Sequence, residues 1–260
     1  MVSEEIQKQR AIDTHSDQAA LFAARYAAIQ QDPYQNCFLY SRKRLNEWLD
    51  KFLPARGDGK QLLDVGCGTG YHMARYRERG FSITGVDGSA EMLRQARNLN
   101  PEIEFHQSDV DRLALPEARF DFALCIEVLR YLPDIAPCVR EIHRTLKPGG
   151  VALVTAAPPL QANFYWPVNR IAASLGTKSL TALKQYFHSA GKLEREFKAA
   201  GFDQVEVHGV YGGMMIWLER IAPSAVPVLL RNWEKMDDLT ADAPFFRHFS
   251  NMFLARAIKK

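Results

Sequence analysis

Three glycines and three aspartates mark where this chain has the residue types for chemistry. Gly66, Gly68 and Gly70 alternate in "LLDVGCGTGYH", behind a short apolar run that contains Asp64. Glycine loses the most backbone freedom on folding, so such a cluster implies a sharp turn that a ligand approaches closely. A strand running into a glycine-rich turn and then a helix presents backbone N–H groups to that ligand. The spacing is G-x-G-x-G, whereas pyrophosphate-binding turns use G-x-G-x-x-G. Asp87 ends "GVD", where a carboxylate accepts hydrogen bonds from ribose hydroxyls. Asp109 and Val110, in "SDV", suit an adenine amino group and ring face.

A second set of polar residues sits where a reacting group would be met. His72 follows the glycine turn, and Glu127, Arg130 and Tyr131 follow the fourth apolar strand. Each is a candidate to position or deprotonate an acceptor. Each also has a plain alternative: His72 on a solvated first helical turn, Glu127 as a cap or ion-pair partner, Tyr131 as packing in "VLRYL".

The elements that must position these groups alternate in type. "QLLDV", "SITGVD", "EIEFHQ", "FDFALCI" and "VALVTA" read as strands, and the segments between them carry helical periodicity. "FDFALCI" is apolar throughout, as a central strand covered on both faces must be. Ser89 has the position of an N-cap, and Asp134 caps a helix that lines up Ile135, Val139, Ile142 and Leu146. "LKPGG" stops that helix. "SAGKLEREFKAAGF" is a helix ended by Gly201, "VEVHGVY" a strand and "NMFLARAIK" a last strand. Upstream, "LFAARYAAI" and "RLNEWLDKFL" are helical and residues 1–18 weakly helical or frayed. The pattern predicts a doubly wound α/β sheet. We expect one domain over 1–260, with an N-terminal helical cap (1–55), a cofactor-binding half (60–156) and helical insertions at 157–188 and 211–247.

Composition narrows the function. A formal charge of +3 is too small for a dedicated nucleic-acid binder. The basic run "RKR" at Arg42–Arg44 reads as a solvated helix face. Four cysteines without a C-x-x-C pair give neither a disulfide framework nor a zinc site, so no metal is expected and a reducing compartment is. The polar N-terminus lacks a signal-like apolar core, and no apolar run is long enough for a bilayer; a cytoplasmic protein is expected.

Taken in order, "LLDVGCGTG", "GVDGSAEML", "SDVDRLALPEARFDFALCIEVLRYL" and "EIHRTLKPGG" resemble the class I S-adenosylmethionine-dependent methyltransferases. The resemblance is close over about residues 62–156 and looser to Val207. It implies a Rossmann-like, mostly parallel seven-stranded sheet of order 3-2-1-4-5-7-6 with helices on both faces. It implies S-adenosyl-L-methionine as cofactor, held by Asp64, Gly66, Gly68, Gly70, Asp87, Gly88, Met92, Asp109 and Val110. Cys125 would contribute a backbone carbonyl, and Tyr26 an aromatic ring over the methionine end. The implied activity is methyl transfer to a small-molecule or lipid-linked acceptor.

The residues leave two rivals open: a non-catalytic cofactor-binding partner subunit, and a nicotinamide-dependent oxidoreductase. The motif spacing and "SDV" weigh against the second. "CIEVL" stands where DNA amino-methyltransferases carry a Pro-Pro-aromatic motif, so nucleic acid is not the expected acceptor. The insertions "NFYWPVNRIAASLG" and "GGMMIWLERIAPSAVPVLLRNW" are rich in Met, Trp, Phe and Leu. They fit internal packing, a greasy acceptor pocket, a peripheral membrane contact flanked by Arg170, Lys178, Lys184, Arg220 and Arg231, or a homodimer face.

Overall fold

The strand–helix alternation produces one sheet. In the computed structural model, which describes residues 4–27, 32–161, 185–213, 218–219 and 221–260, seven strands stand in the order β3-β2-β1-β4-β5-β7-β6. These are β1 (Gln61–Val65), β2 (Ser82–Asp87), β3 (Glu104–Gln107), β4 (Phe120–Cys125), β5 (Leu146–Ala156), β6 (Phe202–Tyr211) and β7 (Met252–Lys259). The first five pair in parallel, and β7 runs antiparallel between β5 and β6. Strand order and direction are those the resemblance implied.

Eight helices surround the sheet among the described residues: α1 (Glu4–Asp17), α2 (Ala19–Ala27), α3 (Cys37–Phe52), α4 (Tyr71–Glu78), α5 (Ala90–Leu99), α6 (Ala136–Thr145), α7 (Ala190–Ala199) and α8 (Val226–Thr240). One core layer joins Val139 and Ile142 of α6 and Leu193 and Phe197 of α7 to Val65, Ala123 and Val154. The opposite layer joins Leu45 and Leu49 of α3 and Met73 and Tyr76 of α4 to Leu62, Leu124, Leu153 and Leu254. β4 therefore has helices over both faces, which explains its unbroken apolar sequence. Local signals act as read: Met92 N donates to the Ser89 hydroxyl, and Ala136 N to Asp134.

Three readings need correction. Residues 4–17 form a regular helix, α1, that lies on the sheet's ligand end. It was illegible because its charged composition hides the buried Ala11. The "RKR" run is not a solvated face. Arg42 and Arg44 are 5% and 6% exposed, paired with acids far along the chain: Arg42 with Glu127, and Arg44 with Asp238 at 2.8 Å. Finally, β5 begins at Leu146, so "LKPGG" is an irregular start to the strand, with a register shift opposite Phe120–Phe122.

Most of the first predicted insertion, residues 162–184, lies outside the described residues, as do Arg170, Lys178, Lys184 and Arg220. No helix among the described residues is long and apolar enough to cross a membrane.

Candidate active site

β1 turns sharply because Gly66 and Cys67 both donate their N–H to Val86 O, at 2.7 and 2.9 Å. Gly66 has φ +71°, and a Cβ there would sit 2.3 Å from Val128 Cγ2. Gly68 has φ +54° and faces open space, so its backbone is the part a ligand can approach. The first glycine is needed for packing and the second for access. Gly66→Ala is expected to lose roughly 2 kcal/mol or more of stability in chemical denaturation, from the clash plus the backbone strain.

This turn forms the floor of a cavity of about 620 Å³. Asp87, at the end of β2, accepts from Gly68 N at 2.9 Å and from Ser89 N at 2.8 Å. Burial raises its pKa above the ordinary carboxylate value, and those N–H groups oppose the rise. Asp64 is 3% exposed and has no hydrogen-bond or ion-pair partner among the described residues. Burial, with the nearby Asp87 charge, pushes its pKa up to about 7. Thr69 Oγ1 is also buried without a partner. An unpaired buried carboxylate beside an open backbone is what a ligand ammonium would satisfy, so the donor set fits the methionine end of the expected cofactor.

At the other end, Asp109, Val110, Gly88 and Met92 line the same cavity. α1 closes over them. Lys8 Nζ lies 2.5 Å from Asp109 and 2.9 Å from Asp111. Burial works against the Lys8 charge, but the hydrogen bonds to both carboxylates outweigh it and raise its pKa. Ser16 Oγ meets Ser89 Oγ at 2.6 Å, and His15 packs edge-on against Tyr131 at 4.8 Å.

The second set of residues converges beyond the glycine turn. Glu127 sits at φ +63°, a left-handed conformation for a residue with a Cβ, and its N–H donates to Thr155 Oγ1 at 2.6 Å. Such strain in a cavity wall is characteristic of functional positions. Its carboxylate bonds to Arg130 and lies 3.8 Å from Arg42. Burial alone would raise the Glu127 pKa, but Arg130 and Arg42 hold it below the usual range. Arg130 Nη2 donates to Gln185 at 2.7 Å. His72 is buried, not on a solvated face. Burial, then Arg42 and Arg75, lowers its pKa to about 3, so it is a neutral imidazole.

The structure thus brings His72, Glu127, Arg130, Tyr131, Asp64, Gly66, Gly68, Asp87, Gly88, Met92, Asp109 and Val110 to one cavity. It does not bring Gly70 or Cys125 there. Gly70 caps α4 at φ +76° against Ala96 and Asn100, and the Cys125 side chain lies in the core with Cys138. The Tyr26 side chain lies outside the described residues. Sequence reasoning missed Lys8, His15, Phe38, Arg42, Tyr211 and Asn251, all in the cavity wall. Helices and strands distant in sequence supply them, and no local pattern announces that.

Residues 63–154 match the family model described as a methyltransferase domain. The match agrees with the resemblance to the class I S-adenosylmethionine-dependent methyltransferases. The methyltransferase fold is shared with an S-adenosylmethionine-dependent methyltransferase from Mesorhizobium loti, at TM-score 0.60 and 23% identity, over 83% of this chain and 98% of that one. The methyltransferase segment is 37% identical to a malonyl-[acyl-carrier protein] O-methyltransferase of Serratia marcescens, over 40% of this chain and 41% of that protein. It is 35% identical to a ubiquinone biosynthesis O-methyltransferase of Alkalilimnicola ehrlichii, over 48% of this chain and 51% of that protein. The chain therefore spans about half or less of the length of these relatives.

Proposed function

We propose that this chain transfers a methyl group from S-adenosyl-L-methionine to a small-molecule or lipid-linked acceptor. One observation carries the reading. A single cavity runs from the Asp109 and Asp87 end, past the unpaired Asp64, to the cluster of His72, Glu127, Arg130 and Tyr131.

In this reading Asp109 and Val110 hold the adenine, Asp87 the ribose hydroxyls and Asp64 the ammonium group. The bound cofactor supplies an electrophilic methyl group on a sulfonium. The chain's own work is alignment and exclusion of water, for which α1 and the buried cluster are suited. Neither His72 nor Glu127 is a strong base: one is held neutral with a pKa of about 3, the other is held ionised by two arginines. Their role is to orient the acceptor, and its proton leaves to water or is absent from the start. A pH profile of kcat/KM is accordingly expected to show no limb that His72→Asn removes between pH 5 and 8. The two sequence relatives are O-methyltransferases, which favours oxygen over nitrogen or carbon here.

Thermal unfolding with S-adenosylmethionine, S-adenosylhomocysteine or NAD tests the reading. A ligand at about 100 times its Kd stabilises by roughly 2.7 kcal/mol. Shifts with the two sulfur compounds and none with NAD are expected; no shift with any would remove the proposal. Lys8→Met is expected to weaken S-adenosylhomocysteine binding about tenfold in calorimetry, because the clasp between α1 and Asp109 is lost.

A further inference from the structure

α8 is apolar on two opposite sides. Val226 and Leu230 are buried against Tyr40, and this inner side borders the cavity through Leu230. On the outer side Val228, Leu229, Met236 and Leu239 are 63%, 37%, 47% and 75% exposed. Their spacing at helical periods 228, 229, 236 and 239 puts them in one stripe. Directly beyond the helix, Phe245 packs edge-on against Phe246 and tilted against Phe249, yet the three remain 69%, 52% and 39% exposed. Nothing among the described residues covers this face.

The charges of the same segment are sorted. Its acids are paired with the body of the protein: Glu234 with Lys43, Asp237 with Tyr40, Asp242 with His208, and Asp238, itself 59% exposed, with Arg44. Lys235 is exposed on the rim of the apolar stripe, with Arg231 beside it. Arg231 also reaches Asp32. An apolar stripe with a basic rim is the pattern of a helix that lies in a bilayer interface. A second copy of the chain would bring the two basic rims together, whereas anionic headgroups complement them.

We infer that the outer face of α8, with Phe245, Phe246 and Phe249, docks on an anionic phospholipid surface. The apolar side chains enter the acyl boundary and Lys235 and Arg231 meet the headgroups. The docked face is the back of the helix whose inner side borders the cavity. It would therefore place the acceptor chamber next to the lipid. This docking stands independently of the methyl-transfer reading, because it needs no cofactor.

The test is flotation of the full chain, without cofactor, with two vesicle types: mixed phosphatidylglycerol–phosphatidylcholine and phosphatidylcholine alone. The bound fraction should be at least tenfold higher on the mixed vesicles and should fall with added salt. The double variant Val228→Glu, Leu239→Glu changes two exposed positions and should keep its melting temperature while losing binding at least tenfold. Lys235→Glu should weaken binding to mixed vesicles only. Equal binding to both vesicle types, no binding to either, or a double variant that floats like the parent would overturn the inference. So would light scattering that shows a dimer which the double variant dissolves, since the face would then be a self-contact.

Discussion

Asp64→Asn should make the ligand-free protein more stable at pH 8 and nearly unable to hold S-adenosylhomocysteine. The folded chain raises the Asp64 pKa from 3.8 to about 7. Between those values the native state binds the extra proton, so this group's contribution to stability falls as pH rises from about 4 to about 7. Above that window the buried, unpaired charge is a penalty on the order of 2–4 kcal/mol, and asparagine removes it. A melting temperature several degrees higher at pH 8, with little difference at pH 4, is the expected result. Binding should respond in the opposite sense. An ammonium ligand needs the ionised carboxylate, so affinity in the parent should fall about tenfold per pH unit below 7. In the variant the Kd should be about 100-fold weaker and lose that slope. Calorimetric titrations across pH decide it; a variant that binds as tightly as the parent would separate Asp64 from the cofactor.

Asp87→Ala should have an effect of similar size by a different route. The carboxylate holds Gly68 N and Ser89 N, and it faces the cavity where ribose hydroxyls are proposed to lie. The variant loses the ligand contact and frees the glycine turn, so S-adenosylhomocysteine affinity should drop at least 100-fold. Stability should fall by about 1–2 kcal/mol from the unpaired N–H groups. Asp87→Asn keeps one acceptor and should lie between. If the melting temperature falls while the Kd moves less than tenfold, Asp87 only braces the turn.

The two predictions concern residues that the sequence exposes, and the contrast with the rest is physical. The glycine turn, Asp87 and Asp109 are legible because each stands at the end of a strand that its own neighbours specify. The strand order was accessible through the motif series. The placement of α1 was not. α1 is mostly polar, and what seats it over the cavity is Lys8 meeting Asp109 and Asp111 about a hundred residues later. Arg42 and Arg44 looked like surface charge for the same reason, since Glu127 and Asp238 are invisible from "SRKRL". His72 was a candidate with a solvated face as its alternative, and the choice was open because periodicity in a polar helix such as "YHMARYRE" does not reveal which polar side is covered. Gly70 was included because a motif names every position in it, while the backbone turns only some of them toward the cavity.

α1 touches both ends of the cavity, through Lys8 at Asp109 and through His15 at Tyr131. One rigid element therefore reports the state of one end to the other. In the proposed reaction, the order of binding would be a property of that helix. Were α1 to seat only after the cofactor, it would complete the wall that the acceptor meets. Release would then run in reverse, with S-adenosylhomocysteine leaving last. Steady-state inhibition by S-adenosylhomocysteine should then be competitive against the cofactor and noncompetitive against the acceptor.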